Sequence, residues 1–413
     1  MKSSRTCPLG IVMITTCLIL LSGCDEEQTT PVHHPTDEPI LLSSTPSSAP
    51  IPSQTPSPTP LPSPTAMDGE ALLSYLQTRA VLNPNNIDQL ELLGEIFLES
   101  EEIPFRYHSW SEDGDWLAVC YPGPPDVIEI YHLEKFQSIT TIEPVENDYL
   151  DNHDCGMYQS ETTPDSRAQS FVFSREGDLL AVPYGGGQAI YQTATGKLVS
   201  ELDTSPQLEQ IAFSSQGTRI AAGYYYSRVG VSMDTEVHLF DTQTGAYWGY
   251  FRKVAPLTDL AYSTLGDYLL TAGTSGVIAW HVEGGQLPLV PCPNAEITFS
   301  PIDETAALTC RPIDHENWRQ LIWNIPENEV ITLNSAPDDQ IIELFYSSDG
   351  EMLVGYTNSG QLSVWETKQG TLLVEFEYGP GSMVDVRFIL DSKALAILES
   401  NGKISIYGLS GDD

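Results

Sequence analysis

Positive charge is what this 413-residue chain has least of: 18 Lys and Arg stand against 57 Asp and Glu, a net charge of −39. Such a balance repels phosphate backbones and anionic headgroups, which excludes nucleic acid as a partner. Long apolar runs are also missing, since the N-terminal run Leu9 to Leu21 is too short to span a bilayer. Histidines are few and badly placed for metal: His108, His132, His153, His238, His281 and His315 show no His-x-x-x-His spacing. The densest acidic loop, Asp148 to Asp154, sets His153 and Cys155 where a calcium loop needs oxygen ligands. No Gly-x-Ser-x-Gly elbow, phosphate loop or acid/base pair is present. The expectation is therefore no catalysis, no catalytic residue, no metal site and no cofactor.

What is present begins at the N-terminus. Lys2 and Arg5 precede the short apolar run, which ends in Leu21-Ser22-Gly23-Cys24. That tetrad resembles the lipobox of bacterial exported lipoproteins. The resemblance implies a signal peptide over 1–23 and a Cys24 that carries diacylglycerol and palmitate-type acyl chains. It also implies a membrane-anchored protein facing the periplasm or the cell surface. Residues 24–67 then form the lipidated cysteine and its linker. Eleven prolines interleave with Ser and Thr between residues 28 and 66, which removes backbone donors and favours a disordered, polyproline-like tether over helix or sheet. At about 3.1 Å per residue it reaches up to ~120 Å. Residues 68–88 read as a short helical segment, with an amphipathic helix over Asp68 to Ala80 and a further helix start at Asn83-Pro84.

From residue 105 one pattern recurs with a period of roughly 37 to 63 residues. Each copy reads as an apolar strand, an aromatic-Ser-x-x-Gly turn, a second apolar strand and a third strand ending on an aromatic. Clear turns are Trp110 to Gly114, Phe173 to Gly177, Phe213 to Gly217, Tyr262 to Gly266 and Tyr346 to Gly350, with decayed copies at Phe299 and Phe388. The glycine supplies the positive φ that closes a hairpin, and the aromatic packs inward. The third strands end on Tyr131, Tyr191, Phe240, Trp280, Trp323, Trp365 and Tyr407. Over 89–413 this resembles WD40 repeats, although only Phe240-Asp241 keeps the acid of the Trp-Asp position and the Gly-His pair is missing. The resemblance implies an all-β fold, a seven-bladed WD40-like β-propeller of four-stranded blades. The last copy supplies three strands, and the segment Leu90 to Leu98 is expected to close the ring as the fourth strand.

The same resemblance brings the second-to-third-strand loops and the blade-to-blade connections to one face. Two cysteine pairings, Cys292–Cys310 and Cys120–Cys155, are then geometrically possible, with free thiols the alternative. That face also gathers Tyr224, Tyr225, Tyr226 and Arg228 in blade three with Arg311, His315, Trp318 and Arg319 in blade five. Tyr, Trp and Arg supply much of the binding energy at interfaces, so these residues form a candidate binding face; merely tolerated insertions are the other reading. The functional expectation is a monomeric propeller acting as a protein–protein interaction scaffold for an envelope or extracellular protein. The alternative is an exported propeller that binds a small solute, glycan or cation.

Overall fold

Each aromatic-Ser-x-x-Gly turn closes a tight hairpin, and the geometry explains the serine as well as the glycine. In blade one the Ser111 N–H donates to Trp116 O at 2.9 Å, and the Trp116 N–H donates back to Ser111 Oγ at 2.9 Å. The same reciprocal pair recurs at Ser174 with Leu179, Ser214 with Arg219, Ser263 with Tyr268 and Ser347 with Met352. Gly114, Gly177, Gly217, Gly266 and Gly350 all take the positive φ expected of them. In the decayed seventh copy Leu390, Asp391 and Ser392 adopt φ values of 53°, 52° and 60°, a left-handed run that L-residues adopt at some cost.

A computed structural model describes residues 59–60, 69–98, 105, 107–121, 126–143, 171–184, 187–203, 208–226, 234–253, 257–312, 318–334, 340–379 and 383–410, all within one unit spanning 56–413. Its strands form seven sheets, the blades of an all-β propeller. Blade one comprises Tyr107–Trp110, Trp116–Tyr121, Val127–His132 and Gln137–Ile142, and blade two Val172–Phe173, Leu179–Tyr184, Gly187–Gln192 and Lys197–Asp203. Blade three comprises Leu208–Phe213, Arg219–Tyr226, Asp234–Asp241 and Tyr247–Lys253. Blade four has Leu257–Tyr262, Tyr268–Gly273 and Gly276–His281, and blade five Glu296–Phe299, Thr305–Cys310, Arg319–Asn324 and Glu329–Thr332. Blade six comprises Ile341–Tyr346, Met352–Thr357, Gln361–Glu366 and Thr371–Glu377. Blade seven takes Met383–Ile389, Ala394–Glu399 and Lys403–Leu409 from the C-terminal end and Leu90–Phe97 as its outer strand. That last pairing, antiparallel from Leu90↔Leu409 to Phe97↔Lys403, is the ring closure expected from the sequence.

Three local expectations need correction. Blade four has no regular fourth strand; only the bridges Val277↔Val290 and Trp280↔Gln286 edge its third. Pro288 and Pro291 interrupt that segment, and a residue without an N–H cannot donate to a ladder. The disulfide Cys292–Cys310, with Cα atoms 4.8 Å apart, fastens the irregular segment to the second strand of blade five. At the other end of the chain the helix covers Gly69–Gln77 and stops short of Ala80, while Asn83-Pro84 leads only into the single 3-10 turn Ile87–Gln89. Leu72 and Leu76 of the helix are buried in one cluster with Leu93 and Ile406 of blade seven. Within the proline-rich tract, Thr59–Pro60 adds a two-residue parallel pair to the outer strand of blade six, at Phe376 and Glu377. Proline is tolerated there because the position lies on a sheet edge.

The core lies between blades. Ala118, Ile128 and Ile130 of blade one meet Phe171, Leu180 and Val182 of blade two, and similar aliphatic layers separate the other blades. Trp323 and Trp365, third-strand aromatics, are fully buried.

Candidate functional site

On the loop face, Arg311 follows the second strand of blade five, and its backbone N–H donates to Pro293 O at 2.8 Å. Its guanidinium turns inward, pairing with Glu296 and donating to the Ile342 carbonyl of blade six. Trp318 stands 5.5 Å from it in a cation–π contact. Arg319 is exposed and donates to Pro291 O at 3.0 Å. Tyr224 does not join this group: it is buried, 4.7 Å from the His238 ring. Tyr225 and Tyr226 lie on the second strand of blade three, paired with Thr235 and Asp234. Arg228, His315, Cys155 and Cys24 fall outside the described residues. Cys120 is disulfide-bonded; its partner also lies outside them.

Around the axis runs a polar belt. Three residues before the first-strand aromatic stand Gln210, Asp259, Glu296, Glu343 and Asp385 in blades three to seven. In four of these strands the register slips just before that position, between Leu208 and Gln210, Leu257 and Asp259, Ile341 and Glu343, and Met383 and Asp385. A bulge of this kind re-aims a side chain, and here it aims several toward the next blade. Gln210 Nε2 donates to Thr258 O at 3.0 Å, joining blade three to four. Asp259 accepts the Ile297 N–H of blade five at 2.7 Å and the neighbouring Leu260 N–H at 2.7 Å. The Glu296–Arg311 pair reaches blade six as described above. Asp385 accepts from His108 Nε2 at 3.0 Å across the closing junction of blades seven and one, and lies 3.3 Å from Arg387 Nη1.

The two buried aspartates of the belt titrate in opposite directions. Burial raises Asp259 to about 6, against the pull of the Ile297 and Leu260 N–H groups and Arg311. Burial would likewise raise Asp385, but Arg387, His108 and the Val386 N–H outweigh it and hold the carboxyl below its ordinary value. A nearby cation, more than hydrogen bonding alone, separates the two cases.

At the opposite mouth the turns of blades one, two, five, six and seven enclose a cavity of about 180 Å³. Blades so far apart in the ring share a cavity only on its axis. Arg175 of blade two crosses this mouth, donating from Nη2 to Pro301 O of blade five at 2.6 Å, with Nε 3.9 Å from Glu112. Glu112, Asp113 and Glu176 also line the cavity. Neighbouring turns partly desolvate Glu112, whose side chain stays about half exposed, and raise its carboxyl; Arg175 opposes this, and Asp113 and Glu176 add to it. Tyr346, 8 % exposed, lines the same space, and its buried hydroxyl has no hydrogen-bond partner among the described residues.

On the ring's flank, the outer strand of blade three carries Tyr247, Trp248 and Tyr250, which are 54 %, 59 % and 58 % exposed. Arg219 lies 3.5 Å over the Trp248 ring. Tyr247 and Tyr250 approach His238 at 5.5 and 6.1 Å.

The loop-face residues were sought by composition, whereas the belt, the axial cavity and the flank strip had quieter signals. The belt was visible in blades three to seven as an acidic or amide residue three before the first-strand aromatic. The strip was visible as Tyr247-Trp248-Gly249-Tyr250, an aromatic run in a strand that alternation alone would make half polar. Among the described residues no three His, Cys, Asp or Glu side chains converge to hold a metal ion, and no helix is long and apolar enough to cross a membrane. No family model matches the chain, and no curated protein matches it.

Proposed function

We propose that this seven-bladed propeller is a protein–protein interaction scaffold, tethered by lipid at Cys24 and displayed outside the cytoplasm, without catalysis of its own. The observation that carries the reading is the aromatic strip Tyr247, Trp248 and Tyr250, exposed on the outer edge of blade three with Arg219 stacked on its tryptophan. Tyr, Trp and Arg are the residues that dominate interface energetics. The strand that carries them is hydrogen-bonded into a four-stranded blade, so docking there orders little backbone and loses little entropy. The net charge of −39 favours a basic or neutral partner protein over an acidic one. Arg311, which clasps blades five and six, is a structural residue and a poor choice for testing a face.

The test is a crosslinked pull-down from the native envelope with the full chain as bait. Beside it run two variants, Tyr247→Ala/Trp248→Ala/Tyr250→Ala on the flank and Trp318→Ala/Arg319→Ala on the loop face. A discrete protein captured by the wild type and lost from the flank variant is the expected outcome. Loss from the loop variant alone would move the interface to that face. Identical background from all three baits would refute the scaffold reading.

A further inference from the structure

Among the described sheets only blade six has a fifth strand, and the sequence that supplies it has a period of its own. Every second residue from Pro56 to Pro64 is proline, with Ser57, Thr59, Leu61 and Ser63 between. In an extended chain, successive residues turn their N–H and C=O to opposite edges. A two-residue period of proline therefore strips the donors from one edge and leaves them all on the other.

Blade six offers an edge to match. Phe376 pairs with Leu362, and the Tyr378 N–H donates to Gly360 O at 2.8 Å. Hydrogen-bonded positions alternate along an antiparallel pair, so Phe376 faces the blade while Glu375 and Glu377 turn their N–H and C=O outward. Thr59 lies beside Phe376 and Pro60 beside Glu377, in parallel register. Pro60 has no N–H, so this register is hydrogen-bonded through its non-proline neighbours: the Thr59 N–H toward Glu375 O, and the Glu377 N–H toward Thr59 O. The pairing thus uses the donor-bearing edge of the proline repeat. Upstream, the same outer strand continues as Leu372-Leu373-Val374, all partly exposed, and an apolar outer strand is an edge that proteins cover.

We propose that Pro56–Pro60 is a one-sided strap that seals the outer edge of blade six. Ser57 continues the register beside Val374 and accepts the Glu375 N–H. The prolines face away from the blade and give a further strand no donor to pair with. The strap brings the polypeptide onto the ring at blade six, three blades from Tyr247, Trp248 and Tyr250, and so leaves that flank open. It depends neither on a partner at blade three nor on lipid at Cys24.

The test is amide hydrogen exchange at Glu375 and Glu377 in the full chain, resolved by residue. The double variant Ser57→Pro/Thr59→Pro makes residues 56–60 all proline, which removes both donors and imposes a three-residue period. Pro58→Ala alters only the outward side. Both amides should be protected in the wild type and in Pro58→Ala, and should exchange faster in the double variant, by on the order of tenfold. Phe376, whose N–H faces the blade, should exchange slowly in all three, which separates loss of the strap from loss of the fold. Equal exchange at Glu375 and Glu377 in the wild type and the double variant would overturn the proposal. Loss of protection in Pro58→Ala would refute one-sided pairing, and protection that vanishes on dilution would assign the strap to a second copy instead.

Discussion

Asp259 and Asp385 hold the same place in their blades and differ by their neighbours. Asp385 has Arg387 and His108 beside it, whereas Asp259 is held chiefly by backbone N–H groups, with Arg311 a lesser influence. The consequence is a predicted pH dependence. A carboxyl raised to about 6 in the folded state, from 3.8, holds its proton more tightly when folded. Its contribution to stability is fully present below pH 3.8 and is lost as pH rises through about 6. The loss amounts to about 3 kcal/mol at 1.36 kcal/mol per unit. Asp259→Asn does not titrate, so the stability of the wild type relative to this variant should fall by that order between pH 3.5 and 7. Denaturant unfolding of both proteins across that range measures it; a pH-independent difference would remove Asp259 from the account. Asp385 has the opposite sign, contributing above its unfolded value and losing that contribution as pH falls below it.

At the scale of elements, the hairpins were the most legible part of the chain. A glycine at fixed distance from a serine and an aromatic specifies a turn through φ and through one side-chain hydrogen bond, and both act within six residues. Blade four shows the limit of such reading: the repeat predicts a fourth strand, but Pro288 and Pro291 reduce it to two bridges. The closing strand was legible as an apolar segment without a copy of its own. It makes a second prediction, because removing Leu90–Phe97 bares the edge of Lys403–Leu409 and the cluster around Leu93. Deleting residues through 98 should abolish cooperative unfolding and give aggregates on size-exclusion chromatography. Deleting only residues 1–68 should leave a cooperative, monomeric fold. A monomeric, cooperative product from the longer deletion would show that the ring does not depend on this closure.

For the whole molecule, the ring and its attachment are separable. If the lipobox resemblance reports lipidation, Cys24→Ala should abolish incorporation of a labelled fatty acid and move the protein from the membrane to the soluble fraction. Its unfolding transition should remain that of the wild type, since none of the described contacts involves Cys24. Continued labelling of the variant would place the acyl chain elsewhere or refute the anchor.

The amino-acid sequence by itself determined the number of blades, the positions of the turns and the strand that closes the ring. These follow from short-range causes: backbone φ, the serine hydrogen bond of each turn, and alternation of apolar residues. It also brought out Arg311, Trp318 and Tyr224 as residues of note without their directions. Only the tertiary structure decided that Arg311 turns inward as a clasp, that Tyr224 is buried beside His238, and that Tyr247, Trp248 and Tyr250 face outward. It also brought His108 to Asp385, 277 positions apart, and assembled one cavity from the turns of five blades. Such juxtapositions depend on closing the ring, and a local pattern carries no record of which distant residue the closed ring sets beside it.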